Sequence, residues 1–364
     1  MTRTLLPLAL AALLVWLLSG CMGATEAPSP AGTSRAGAPI FSTSTVGVAP
    51  FRPTPTPRSP RPLTPITATR DYPVLESYAR WMPVIDGSTS TLPLRALILC
   101  RAYAVPCGWD DAYGEEWHRQ VAAAGDSTAA TMFRHVVENR APSHGTHGAY
   151  DALVAAEADL ILVARPPSAD ERDVARDAQV ELEGVPVAYD AFVFFVNSEN
   201  PVQSITLDQA RQIYSGELTN WADLGGPDMP IFPFQRNENS GSQELMEAMV
   251  MGETPMVASP EMVLISMGEP LIEVAHQPAG IAYSVYYYVT QMVEQPNMRL
   301  LAIDGVMPSP ESLADGSYPL RSEVLAVRRR SPSATVRELY EWLLSDEGQS
   351  LVAESGYVPI RPVR

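Results

Sequence analysis

Positive charge is scarce in this sequence. Lysines and arginines number 25 against 42 aspartates and glutamates, so the formal net charge is 25 − 42 = −17. Nucleic acid is held by cations on its phosphates, and this balance argues against it as a partner. An acidic chain can still hold a small anion where donors are concentrated locally, but without long-range steering. Histidines number only 5. His144 and His147 lie close together, yet no nearby cysteine or carboxylate pair completes a tetrahedral set, and His118, His135 and His276 are scattered. No metal and no cofactor is expected. No Gly-x-Ser-x-Gly elbow occurs, which removes the usual local signature of a serine hydrolase.

Long apolar runs are also few, and the first is too short to span a bilayer. Arg3 supplies a positive start and Leu5 to Leu18 an apolar stretch, the pattern of a targeting segment over residues 1–21. It ends in Leu18-Ser19-Gly20-Cys21, which matches the lipobox of bacterial lipoproteins, where cleavage precedes a cysteine that receives lipid. Cys21 is therefore the expected lipidation site, on the extracytoplasmic face of the cell membrane. A plain secretory signal is the alternative. Residues 22–70 are rich in Pro, Ser, Thr and Ala without apolar periodicity, and read as a tether that cannot bury enough surface to offset its ordering entropy.

Of the 3 cysteines, Cys100 and Cys107 remain. In an exported protein two cysteines this close form a disulfide candidate, with two buried thiols as the alternative. With 364 residues and 46% hydrophobic residues the chain has room for two domains and a full core. The folded body is expected from about Tyr72. Val84-Ile85 reads as a strand end, followed by Gly87-Ser-Thr-Ser-Thr-Leu-Pro-Leu94 and an apolar helical face through Leu99. Ser90 or Thr91 falls at the N-cap and Pro93 in the first turn. Ser143 to Gly148 precedes a helical stretch from Ala149 to Glu157, with Thr146 as a hydroxyl at its start. Ala191 to Asn197 is nearly continuously apolar, as in a strand buried on both faces and crossing between lobes. Met256 to Val274 reads as helical, and Gly280 to Val289 as a second crossing strand.

The stretch from Phe234 to Gln243 organises the remainder. A short strand leads into Arg236-Asn-Glu238-Asn-Ser240-Gly241-Ser242-Gln243, and helical spacing follows at Leu245, Met246 and Met249. Ser240 and Gln243 have the spacing of a capping box. A helix start favours an anion through its free N–H groups and dipole. Gly241 admits close backbone approach, Ser240 and Ser242 add hydroxyls, and Arg236 adds a planar fork that Glu238 is placed to orient. An ordinary capped helix beside a surface Arg–Glu pair is the other reading of the same residues.

This stretch resembles the second-lobe anion loop of the phosphate-binding receptors of bacterial ABC importers. Gln212 to Trp221, Gly280-Ile-Ala-Tyr-Ser284, Gly348-Gln349 and Gly356 to Ile360 resemble the same family, in order, so the likeness runs from about Ile85 to Ile360. It implies that Arg236, Ser240, Gly241 and Ser242 contact the anion with Glu238 behind them. It also implies that Ser90, Thr91 and the N–H of Leu92 contribute from the first turn, and Thr146 from a third. At the end of the strand Asp159 to Val163 the best-known receptors carry an aspartate that accepts the proton of hydrogen phosphate. Here Val163, Ala164 and Arg165 stand instead, so Arg165 is expected as a further donor and selectivity over sulfate as weak, unless Asp86 or Asp190 substitutes.

The resemblance implies an α/β fold of two lobes, each a mostly parallel sheet flanked by helices, with the ligand cleft between them. The expected lobes are residues 71–190 with 287–364, and 191–286. The expected function is a monomeric, lipid-anchored solute-binding protein that captures phosphate or a similar oxyanion for an ABC permease, without enzymatic chemistry. An anion-sensing or adhesion lipoprotein that keeps the fold without transport is the alternative, and a serine hydrolase built on Ser240 or Ser90 a more distant one.

Overall fold

A computed structural model describes residues 63–68, 70–111, 118–124 and 128–363. The targeting segment, Cys21 and the tether up to residue 62 lie outside these residues. Among the described residues no helix is long and apolar enough to cross a membrane.

The chain enters as β1 (Thr64–Pro65) and α1 (Pro73–Ser77), then β2 (Ile85–Gly87) and, past a 3-10 turn at Thr89–Thr91, α2 (Leu92–Ala102). An antiparallel pair, β3 (Cys107–Asp110) and β4 (Gln120–Ala123), precedes α3 (Thr128–Arg140), α4 (Gly145–Val154), β5 (Leu160–Val163) and α5 (Ala169–Asp177). The 16-residue β6 (Leu182–Asn197) then crosses to a second half. That half holds β7 (Ser204–Ile205), α6 (Leu207–Ser215), β8 (Phe232–Pro233), β9 (Gln235–Arg236), and α7 (Gly241–Met246) running into a π turn at Glu247–Met251. It continues with β10 (Val263–Leu264), α8 (Glu269–His276), β11 (Gly280–Val285), β12 (Met298–Leu300) and β13 (Ala302–Ile303). After α9 (Pro310–Ala314), β14 (Arg321–Arg329) returns, and α10 (Ala334–Leu343), α11 (Asp346–Glu354) and β15 (Val358–Pro359) close the chain.

The strand order β2-β5-β14-β6-β11-β8 follows from β6 serving both halves. Its first part, Leu182 to Ala191, pairs with β14, and its second, Phe192 to Val196, pairs with β11. Every residue from Asp190 to Asn197 is buried, which is what the unbroken apolar run requires. This is the two-lobed arrangement, with one correction. β2–β5 and β8–β11 are parallel, but β14 and β11 run antiparallel to β6, so each sheet is mixed rather than mostly parallel. A strand that crosses and a strand that returns must run in opposite senses.

Three local expectations shift. β1 already pairs with β3, and Ile66 N–H donates to Cys107 O at 3.0 Å, so order begins before Tyr72. Pro65 is tolerated because β1 is an edge strand. Residues 256–268 hold a 3-10 turn and β10 rather than helix, with Pro260 opening the 3-10 turn. β12 pairs with the end of β6, and β13 pairs with β7 in a separate two-stranded sheet, so residues 298–303 pair with strands of the second half. Cys100 and Cys107 form a disulfide that ties α2 to β3.

The second-half core is aromatic, and it places the site. Tyr283 on β11 packs its ring 5.3 Å from Phe192 and 5.4 Å from Tyr214. Its hydroxyl, carried out of this cluster, reaches the start of α7. Burying each such ring contributes about 1.5–3 kcal/mol, so the hydroxyl's position is fixed by packing.

Candidate functional site

The first wall of the cleft begins at Gly87, where a Cβ would lie 2.0 Å from Leu162 O, so only glycine lets β2 approach β5 this closely. The next residue, Ser88, accepts from Ala164 N–H at 3.1 Å and bonds Thr146 Oγ1 at 2.7 Å. Two hydroxyls have two protons and their mutual bond uses one, so one proton of the pair is free for the cleft. Ser90 lies on the same wall, 1% exposed, and its Oγ has no hydrogen-bond partner among the described residues. A buried hydroxyl left unpaired is costly unless something else satisfies it.

Thr91 and Leu92 are not on the cleft. Thr91 Oγ1 turns inward to Leu162 O at 2.7 Å and Ser88 O at 2.9 Å, and Leu92 N–H donates to Thr89 O in the 3-10 turn. The turn tightens where the spacing suggested a simple cap. Arg95, fully buried, stitches the wall together from behind: Nε reaches Thr91 Oγ1 at 3.2 Å, Nη2 reaches Ser88 O at 3.0 Å, and Nη1 reaches Pro142 O. Burial lowers its pKa to about 10 against the pull of Asp86, 3.9 Å away.

The start of α4 supplies Thr146 and, as sequence reasoning missed, His144 at the N-cap position. No side chain caps this helix start, and Gly145, Thr146 and His147 of its first turn line the cleft. His144 Nδ1 meets Asp86 Oδ2 at 2.5 Å, while Asp86 Oδ1 accepts from Gly87 N–H at 2.7 Å and from His144 N–H at 3.2 Å. Asp86 is fully buried and does not reach the cleft itself. His147, one turn on, bonds Glu171 Oε1 at 3.0 Å. Among the described residues no group of three or more His, Cys, Asp or Glu could hold a metal.

The second wall is the loop from Arg236 to Ser242. The chain has no lysine, so arginine is its only fixed cation. β9 lies parallel to β10, which brings the carbonyls of Leu264 and Ile265 to the guanidinium: Nε donates to Leu264 O at 3.1 Å and Nη2 to Ile265 O at 2.8 Å. Nη1 reaches Ser242 Oγ at 3.3 Å. Among the described residues no carboxylate pairs with Arg236, and burial lowers its pKa. Glu238 is exposed and makes no ion pair with Arg236; neutral carbonyls orient the fork instead. The capping box also fails to form. Gln243 points into the core, accepting from Tyr283 OH and from Arg236 N–H (3.3 Å), and Ser240 makes no side-chain cap. Ser240 Oγ therefore lies 3.2 Å from Ser242 Oγ, and again one proton of the pair is free.

Arg165 does not line this cleft. It is 4% exposed, and both arms of its fork are taken by Glu171 at 2.7 Å and 2.8 Å, with Glu244 of the other lobe 3.0 Å from Nη2. Glu171 is held there because it also accepts Ser168 N–H at 2.8 Å at the start of α5. Asp190 is equally remote: buried in β6, it accepts from Ala191 and Tyr287 N–H at 2.8 Å and 3.0 Å, and burial raises its pKa to about 7.

Of the residues expected to contact a ligand, Ser90, Thr146, Arg236, Ser240, Gly241 and Ser242 thus meet around one cleft of about 350 Å³, and Thr91, Leu92 and Arg165 do not. The cleft gathers hydroxyl protons, helix-start amides and one unpaired guanidinium, a set of donors suited to a small oxyanion.

A family model described as a PBP superfamily domain matches residues 111–347. The phosphate-binding protein PstS of Staphylococcus haemolyticus is 25% identical over 280 residues, covering 69% of this chain and 86% of that one. PstS of Borreliella burgdorferi is 25% identical over 181 residues, 48% of this chain and 64% of the relative, under two thirds of its length. Among solved structures, an ABC-type phosphate transport receptor from Vibrio cholerae superposes with a TM-score of 0.52 at 22% identity, over 77% of this chain and 100% of that one. A Clostridium perfringens chain solved with bound phosphate gives 0.55 at 23% identity, over 77% and 99%. At these identities the structural likeness is one of fold.

Proposed function

The chain belongs to the PBP superfamily, and from that premise we propose that it is an extracytoplasmic receptor that captures phosphate and delivers it to an ABC importer. The observation that carries the reading is Arg236. Its guanidinium is half-buried, oriented only by neutral acceptors, and faces the same cleft as the unpartnered Ser90 hydroxyl and the uncapped start of α7. An unpaired cation beside orphaned donors is a poor arrangement until an anion arrives. Relatives whose names state phosphate binding support the choice of phosphate.

In this reading Ser90, Thr146, Ser240, Ser242 and the Gly241 amide share the ligand's oxygens with Arg236. Capture needs no covalent step, only neutralisation by donors and closure of the lobes, 71–190 with the returning chain and 191–286, around the cleft. The receptor works as a monomer held to the membrane through lipid on Cys21. Cys21→Ala is expected to release the chain from membranes, and membrane retention through detergent-free washing would refute the anchor.

Calorimetric titration with inorganic phosphate tests the function. Arg236→Ala is expected to weaken binding by about 2–5 kcal/mol, the range for removing one partner of a desolvated charge pair. Wild-type affinity in that variant would remove the loop from the site.

A further inference from the structure

We propose that His144, with its tautomer fixed by Asp86, is the residue that distinguishes hydrogen phosphate from sulfate. This rests on the anion-capture reading above and deepens it. The hydroxyls of the cleft cannot make the distinction. Each has one proton and lone pairs on a rotor, so it donates to sulfate or accepts from a P–O–H group by turning. The helix-start amides and Arg236 only donate. The imidazole is different because it cannot turn freely: Nδ1 lies 2.5 Å from Asp86 Oδ2, and the His144 N–H is tied to the same carboxylate at 3.2 Å.

Asp86 Oδ1 already accepts two backbone N–H groups, so the carboxylate faces His144 as an acceptor and Nδ1 carries the proton. In the neutral ring Nε2 then presents a lone pair. His144 lines the cleft, its side chain is 58% exposed, and Nε2 bonds no other described residue. A hydrogen phosphate ion can donate its proton to that lone pair. Sulfate has no proton to donate, so it sets lone pair against lone pair unless the ring first takes up a proton from solvent. The buried Asp86 thus acts through His144 although it never reaches the ligand.

The other titratable and charged groups around His144 are Arg95 behind Asp86, His147 on α4 with Asp151, Asp170 and Glu171 about it, and His118, Tyr288 and Arg236 on the cleft wall. All of them persist in a His144→Phe variant, so differences between it and the wild type report on His144.

The test is calorimetry of the full chain with inorganic phosphate and with sulfate, at pH 8 and pH 6, in buffers of different ionisation enthalpy. Sulfate keeps one charge over this range, so its behaviour reports on the protein. Sulfate binding is expected to take up a proton and to strengthen from pH 8 to pH 6. His144→Phe should remove that uptake and lower the phosphate-to-sulfate ratio at pH 8 by about ten- to a hundredfold, below the full discrimination of a dry polar site because the ring is half-exposed. Asp86→Asn offers its amide N–H to Nδ1, turns Nε2 into a donor, and should move the ratio further toward sulfate. If that variant does not fold, the exposed His144→Phe still decides. An unchanged ratio in His144→Phe, or sulfate heats independent of buffer, overturns the inference while leaving phosphate capture intact. A wild type that binds no phosphate overturns both.

Discussion

Gly241 offers a direct test of how closely the lobes must meet on the ligand. It opens α7 in one lobe, and a Cβ built on it would lie 2.4 Å from Thr146 Oγ1 and 3.1 Å from Thr146 Cβ in the other. Rotating the threonine does not relieve the second contact, and its Oγ1 is already committed to Ser88. Gly241→Ala therefore forces the walls apart or strains them, at the cost typical of overpacking, about 1–3 kcal/mol. At about 1.4 kcal/mol per tenfold, phosphate affinity should fall roughly 5- to 150-fold. The fold itself should not suffer. Gly241 is not among the positive-φ glycines, and alanine at a helical position is worth up to about 1 kcal/mol over glycine. The assay is calorimetric titration together with thermal unfolding with and without phosphate. The unliganded variant should melt at or above the wild-type temperature, while a hundredfold weaker Kd removes up to about 2.7 kcal/mol of ligand-induced stabilisation. Wild-type affinity in Gly241→Ala would refute the reasoning, because the bound state would then not contain this contact.

Arg165→Gln should cost about 3–5 kcal/mol of unfolding free energy, since it leaves the buried Glu171 without its guanidinium and held only by His147 and the Ser168 N–H, yet change phosphate affinity by no more than about fivefold through loss of the pair with Glu244. Abolished binding with unchanged chemical denaturation would show that Arg165 is a ligand after all. For Asp190, burial raises the folded pKa to about 7 from the ordinary 3.8, so between those values the folded state holds a proton that the unfolded state has lost. Stability therefore falls as pH rises through this window, by up to roughly 4 kcal/mol, and Asp190→Asn should flatten the slope and stabilise the protein at pH 8; an identical slope in the variant, measured by denaturant unfolding at pH 5 and pH 8, rejects the assignment.

Much of the fold was legible because its signals are local. The apolar run around Phe192 to Val196 is a buried strand, Thr206 caps α6 with its hydroxyl accepting from Gln209 N–H, and Gly356 ends α11 with φ of 94°. Residues 256–268 were misread because their apolar spacing looks helical, while Pro260 and the pairing of Val263 with Gln235 decide otherwise. The pairing is tertiary, and no window of sequence contains it. Likewise Ser240 and Gln243 have capping-box spacing, but Tyr283, brought in by the aromatic core, competes for Gln243 and wins.

The two arginines show where reading a site from sequence stops. Arg236 was expected as a ligand from the anion loop itself and Arg165 from the strand end where the family's aspartate is missing, and both have a glutamate within a few residues. What separates them is which carboxylate the fold delivers. Glu171 lies six residues past Arg165, but α5 begins between them and turns its first-turn acid back onto the guanidinium, which closes the fork at 2.7 Å and 2.8 Å. Glu238 is only two residues past Arg236, yet the loop leaves it exposed, and β10 supplies carbonyls in its place. An arginine satisfied by a carboxylate is a structural cation; one held by neutral acceptors keeps its charge for a ligand. His144 follows the same logic from the other side. Its role depends on a carboxylate 58 residues away in sequence, which fixes a tautomer no motif could specify. In this cleft, then, specificity is set less by the residues that face the anion than by the buried carboxylates that hold those residues, or fail to.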